Sequence, residues 1–192
     1  MTRSSFGIHK SWIILVLLLS GLVMLFISSS VAMIYLQVRQ DLKNVEIPSL
    51  FYFNTTLLLI TSFIFHKINP ALINISIMQY KLRTIFFITL LFLALQSLAW
   101  YNLLKNSIVI GSDRMGSFLY FISGLHFVHI LAGIPFLIRY YVRLKYLDPT
   151  YTLLDESESA VRNFKLLRVY WHFLDFIWLY IVVFLFLLNH FF

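Results

Sequence analysis

Five stretches of the chain are almost uninterruptedly apolar, at residues 12–36, 50–65, 85–104, 117–138 and 169–188, and the charged residues gather between them. An α-helix needs roughly 20 apolar residues to cross the about 30 Å hydrocarbon core of a bilayer, a length that the second stretch only just approaches. The pattern predicts an all-α fold, an integral membrane bundle of five transmembrane helices forming a single membrane domain over residues 1–192. Pro48 stands before the second stretch, where its fixed φ suits a helix start. The moderately apolar run 68–80 that follows reads as an interfacial helix, and residues 139–168 read as a long loop. The first stretch is too long for a signal peptide and lacks a small-residue cleavage site, so it reads as a retained anchor.

Alternating segments differ in basic residues. Lys and Arg number 2, 3 and 6 in the N-terminal segment, second loop and fourth loop, against 2, 2 and 0 in the first loop, third loop and C-terminal tail. Basic residues favour the cytoplasmic side, which predicts a cytoplasmic N-terminus and an outside C-terminus. In a bacterium the location would be the cytoplasmic, or inner, membrane.

Composition agrees with this class: 60% of the 192 residues are hydrophobic and 12% are charged, with a mean hydropathy of +0.85. The absence of cysteine excludes disulfides, thiolate-held iron–sulfur clusters and cysteine-ligated zinc. A net charge of +7 in a soluble protein would raise nucleic acid as a partner. Here the cations flank apolar spans, where they set orientation and meet anionic lipid headgroups, and no nucleic-acid partner is expected. Arg139, Arg143, Lys165 and Arg168 are the candidate headgroup contacts, and the acidic segment DESES at 155–159 reads as solvated surface.

Within the spans, polar chemistry is sparse. Of eight acids only Asp175 lies in a span, at a position where a carboxylate costs about 2.5–3.5 kcal/mol on insertion scales. Three histidines join it, His126 and His129 in the fourth span and His172 in the fifth. Helical spacing puts Ser123, His126, His129 and Gly133 on one face, and Trp171, His172, Asp175 and Trp178 on another. Four readings stand side by side. A b-type haem needs two imidazoles on facing helices, a di-iron site needs several carboxylates, and a proton relay usually shows more intramembrane polar groups. The fourth is a buried polar packing cluster of His126, His129, His172, Asp175, Trp171 and Trp178, which asks least of so few groups. Asp175 is then expected to hydrogen-bond to a neighbouring helix or a partner subunit. Gly124 and Gly133 are expected to permit close helix approach, and Pro135 to produce a modest kink.

Two stretches carry a family resemblance. FLYFISGLHFVHILAG, residues 118–133, resembles the F-Y-x-x-T-G-F-H-G-L-H-V-x-x-G pattern of subunit III of the haem-copper oxidases, the cytochrome c oxidase family, with Gly124, His126, His129 and Gly133 in register. YWHFLDFIW, residues 170–178, is similar to that family's Y-W-H-F-V-D-V-V-W. Two shorter matches keep the order: NTTLLLITS, with Asn54, Thr55 and Ser62, and FLALQSLAW, with Gln96 and Trp100. Asn54 is accordingly a candidate helix contact.

The resemblance implies a short, five-helix bacterial subunit III. Such a chain would have no catalytic, cofactor-binding or metal-binding residues of its own, the haem and copper being held by partner subunits. It would pack directly on subunit I, beside subunit II and other respiratory-complex subunits, bind phospholipid, and support stability and proton uptake during oxygen reduction. Longer relatives carry two further N-terminal helices walling a lipid-filled cleft, which another subunit would have to supply here. Three family carboxylates are replaced, by Met24, Ala99 and Lys165. The alternatives are a subunit III relative in a quinol oxidase or nitric oxide reductase complex, and a free-standing haem-binding or proton-conducting membrane protein.

Overall fold

The structure, a computed structural model, describes residues 10–40, 48–70, 72–105 and 114–191. Five long helices account for most of it: α1 (Lys10–Gln40), α2 (Ser49–His66), α3 (Ile75–Lys105), α4 (Arg114–Lys145) and α6 (Glu158–Phe191), with a single-turn α5 (Leu153–Glu156) before the last. All five are long and apolar enough to cross a membrane. The 32 residues of α4 extend about 48 Å, well beyond a hydrocarbon core of about 30 Å, whereas the 18 of α2 reach only about 27 Å.

This extra length corrects two expectations. Residues 68–80 form no separate interfacial helix: the chain turns after His66, and 75–80 are the first turns of α3. Most of 139–168 is likewise helical, because α4 runs on to Lys145 and α6 begins at Glu158. Hydropathy marks where a helix leaves the hydrocarbon, but its backbone hydrogen bonds can continue into water. The four headgroup candidates therefore stand on rigid helix ends.

Helices α2, α3, α4 and α6 close a four-membered ring, each packed on the next, and α1 lies outside it against α4 and α6. Lipid tails are as apolar as leucine, so packing and interhelical hydrogen bonds hold such a ring together. One buried cluster gathers Phe51, Phe92 and Trp178. A second lies toward the α2/α3 turn and joins Phe65, Ile75, Leu153, Phe164 and Trp171.

At that end the two turns are sewn together. An isolated antiparallel bridge pairs Asn74 with Thr152, Ile75 N donates to the Tyr151 carbonyl at 2.9 Å, and Gln79 Nε2 donates to the Leu144 carbonyl at 2.8 Å. The α2/α3 and α4/α6 connections thus share one end of the bundle, here termed the basic end because Lys67, Lys81, Arg139, Arg143, Lys145, Lys165 and Arg168 collect there. Helix α4 passes through Pro135 without interruption.

The acidic segment is more than solvated surface. Thr152 donates to Asp155 Oδ2 from its backbone N and its hydroxyl, both at 2.7 Å, and Ser157 Oγ accepts from Ala160 N at 3.2 Å at the start of α6. Thr150 likewise donates twice to Asp148 Oδ1, at 2.9 and 2.6 Å. These bonds hold both carboxyls below their ordinary range. Because the folded values are depressed, their contribution to loop order is present above the unfolded value of about pH 4 and is lost as pH falls through the depressed values. Pepsin cleavage between 146 and 157 should therefore accelerate below about pH 4, and a combined Asp148→Asn and Asp155→Asn variant should lose that acid-dependent step. A parent loop equally resistant throughout the acid range would contradict this.

Candidate functional site

The polar residues singled out in the sequence lie where α6 meets α2 and α4, but they do not form one cluster. His126 is fully enclosed on α4, its ring 5.1 Å from that of Trp178 and 6.0 Å from that of Phe92. Neither ring nitrogen makes a hydrogen bond among the described residues. His129, one turn further and half-buried, donates from Nδ1 to the Leu125 carbonyl at 2.6 Å and approaches Phe26 of α1. His172 faces α2, with Nδ1 2.7 Å from Ser62 Oγ. Asp175 is 5% exposed, and its oxygens receive no hydrogen bond among the described residues. No three His, Asp or Glu side chains gather at metal-ligating distance among the described residues.

What joins the helices is a set of paired contacts around these groups. Trp178 Nε1 donates to Thr55 Oγ1 at 3.1 Å, tying α6 to α2. Asn54 Nδ2 donates to Gln96 Oε1 at 3.0 Å between fully buried side chains, tying α2 to α3. Trp100 Nε1 donates to Ser123 Oγ at 3.1 Å, tying α3 to α4. The Tyr170 hydroxyl donates to the His129 carbonyl at 2.8 Å, tying α6 to α4. That carbonyl lies two residues from the one left without its helical donor by Pro135, so the bond reinforces α4 close to its weakened turn. Thr55, Ser62 and Trp100, from the two shorter motif matches, meet residues of the longer two, whereas Gln96 meets Asn54 and so joins the two shorter matches to each other.

The two glycines differ. A Cβ built on Gly133 would lie 2.8 Å from Tyr170 Cε1 and 3.1 Å from Trp171 Cζ3, so α4 and α6 touch there only because the side chain is missing. A Cβ on Gly124 would meet the Trp100 ring at 3.9 Å, ordinary contact distance. Met24, which the resemblance sets at a family carboxylate position, is 71% exposed on the outer face of α1, whereas Ala99 is fully buried.

Of the headgroup candidates, Arg139, Arg143 and Lys165 are exposed. Arg168 is half-buried; it donates from Nη1 to the Ile68 carbonyl at 3.4 Å and stacks over Phe164 at 5.9 Å. Its guanidinium thus also pins the α2/α3 turn to α6.

Comparison with known proteins agrees with this arrangement. Residues 16–190 match the cytochrome c oxidase subunit III family. The chain is 30% identical over 114 residues to the cytochrome bo(3) ubiquinol oxidase subunit 3 of Buchnera aphidicola, covering 59% of this chain and 57% of that protein. It is 30% identical over 104 residues to a probable cytochrome c oxidase subunit 3 of Nocardia farcinica, covering 52% and 48%. Against the cytochrome c oxidase subunit 3 of Ornithorhynchus anatinus it is 29% identical over 144 residues, covering 74% and 50%. The chain spans about half the length of these curated relatives. With the family match running from α1 into the last turns of α6, and the motif residues meeting one another across the ring, this chain belongs to the cytochrome c oxidase subunit III family of the haem-copper oxidases.

Proposed function

We propose that this chain is a non-catalytic accessory subunit of a respiratory haem-copper terminal oxidase. It packs directly on subunit I beside subunit II, binds phospholipid, and supports stability and proton uptake while oxygen is reduced elsewhere in the complex. The family match over residues 16–190 carries this reading. The interhelical bonds made by motif residues support it, since they use these groups to lock a rigid ring. The basic end, with its exposed cations, faces the cytoplasm in this reading, and the membrane is the bacterial inner membrane. Haem and copper belong to the partner subunits.

Removing the chain from the purified complex tests the role. Initial oxygen consumption should be largely retained, while inactivation during sustained turnover should quicken several-fold. Immediate and complete loss of turnover with the metal centres intact would sink the accessory reading.

Bound phospholipid is expected at the exposed cations of the basic end. Native mass spectrometry of the complex should show fewer retained anionic lipids after combined Arg139→Ala, Arg143→Ala and Lys165→Ala substitution. Unchanged lipid would remove headgroup binding from the proposal.

The match to a ubiquinol oxidase subunit supports a second version of the same role, within a quinol-oxidising complex. Oxygen consumption driven by quinol but not by reduced cytochrome c would select that version.

A further inference from the structure

Hydrogen-bond accounting at the seam between α2 and α6 points to a function for Asp175. Its carboxyl group is 5% exposed and receives no hydrogen bond among the described residues. An ionised carboxylate in such surroundings requires a donor. The Ser62 hydroxyl faces it from α2, yet that hydroxyl lies 2.7 Å from His172 Nδ1. A hydroxyl has one proton to give and two lone pairs with which to receive. If Ser62 donates to His172, an ionised Asp175 is left bare, and Asp175 is partnered only when it is protonated and donates to Ser62 Oγ. If His172 Nδ1 carries the proton and donates to Ser62, the hydroxyl is released toward Asp175, and all three groups are partnered.

We infer that His172, Ser62 and Asp175 form a directional hydrogen-bond chain, Nδ1–H to Oγ–H to carboxylate, that acts as a proton-exchange site opening on the basic end of the bundle. His172 and Ser62 are both half-buried, and the groups acting electrostatically on His172 are Arg168 on its own helix and the exposed His66 on α2. Beyond Asp175 the way is closed by Trp178, which is fully buried, bonded to Thr55 and packed on Phe51, Phe92 and His126. The site is therefore blind and exchanges protons with one side only. In the exchange step the Ser62 O–H proton passes to Asp175 as the Nδ1–H proton passes to Ser62 Oγ. An imidazolium and a carboxylate transiently become a neutral imidazole bare at Nδ1 and a carboxylic acid that donates to the regenerated hydroxyl, and the resting form at neutral pH keeps the proton on Nδ1. A further proton taken up at the imidazole from the basic end restores the imidazolium. The chain is independent of which oxidase the subunit serves.

Nitrogen-15 NMR of the histidine-labelled full chain in lipid nanodiscs tests it, with His172 assigned by loss of its signal in His172→Gln. At neutral pH, His172 Nδ1 should show the protonated type of resonance. Asp175→Leu should convert it to the unprotonated type, because the Ser62 hydroxyl then turns to donate to the ring, and Ser62→Ala should make Nδ1 insensitive to Asp175→Leu. An unprotonated Nδ1 in the parent, or an Nδ1 unaffected by Asp175→Leu, overturns the chain. Where Asp175→Leu does not accumulate, the infrared carboxyl band that disappears in Asp175→Asn decides instead. It should shift in Ser62→Ala and stay in place in Ser62→Thr, and an unshifted band in Ser62→Ala overturns the inference.

Discussion

Gly133→Ala should loosen the bundle measurably, and Gly133→Leu should separate α4 from α6. The alanine Cβ would stand 2.8 Å from Tyr170 Cε1 and 3.1 Å from Trp171 Cζ3. Neither ring can swing aside easily, because the Tyr170 hydroxyl is anchored on the His129 carbonyl and Trp171 is 2% exposed. Overpacking costs about 1–3 kcal/mol, and removing a helical glycine returns up to about 1 kcal/mol, so the alanine variant should lose stability on balance. For leucine the clash dominates. Gly124→Ala is the internal control, since its Cβ would meet only Trp100, at 3.9 Å, and it should be neutral or slightly stabilising. Unfolding by titration with a denaturing detergent measures all three. Equal behaviour of Gly124→Ala and Gly133→Ala would show that the close α4/α6 approach is misplaced.

The second large effect belongs to Trp178→Ala. This side chain touches Phe51 on α2, and Phe92 on α3 and His126 on α4, at ring separations of 5.2, 5.1 and 5.1 Å. In water-soluble cores, truncating a large aromatic residue costs about 3–5 kcal/mol, a sum of lost transfer energy and a cavity. In a bilayer the transfer part largely cancels, because lipid replaces protein as apolar surroundings. The lost dispersion contacts remain, and about 3 kcal/mol is expected. Trp178→Phe should cost only about 1 kcal/mol. It keeps most of the ring contacts, and the Thr55 hydroxyl retains its bond to the Phe51 carbonyl at 2.9 Å. A Phe variant as unstable as the Ala variant would place the stability in the Nε1 hydrogen bond instead of the packing.

The five spans were legible because apolar length is a one-dimensional property, and the helices found contain every predicted stretch. Helix ends were less legible. Lys81 and Arg83 interrupt the apolar pattern of α3, and Arg139 and Arg143 that of α4, without interrupting the backbone. Helical spacing put Trp171, His172, Asp175 and Trp178 on one face, and three of the four are buried there with His172 half-buried. Spacing within one helix could not say what that face meets. His172 meets Ser62, 110 positions away in sequence, and Trp178 meets Thr55, 123 positions away. The only sequence sign of those partners was their position in the shorter motif matches. Nor could spacing separate Gly124 from Gly133, because the difference lies in which ring the neighbouring helix presents. The pinning of the α2/α3 turn by Arg168 had no local sign either, since its acceptor is the backbone carbonyl of Ile68.

Capture of the native assembly through an affinity tag on this chain, in mild detergent, tests the accessory role most directly, with the visible spectrum recorded for the assembly and for the chain purified alone. An accessory subunit should be colourless alone, and its assembly should bring down a haem-bearing oxidase that reduces oxygen. Haem bands that stay with the isolated chain, or an assembly free of any oxidase, would contradict that role.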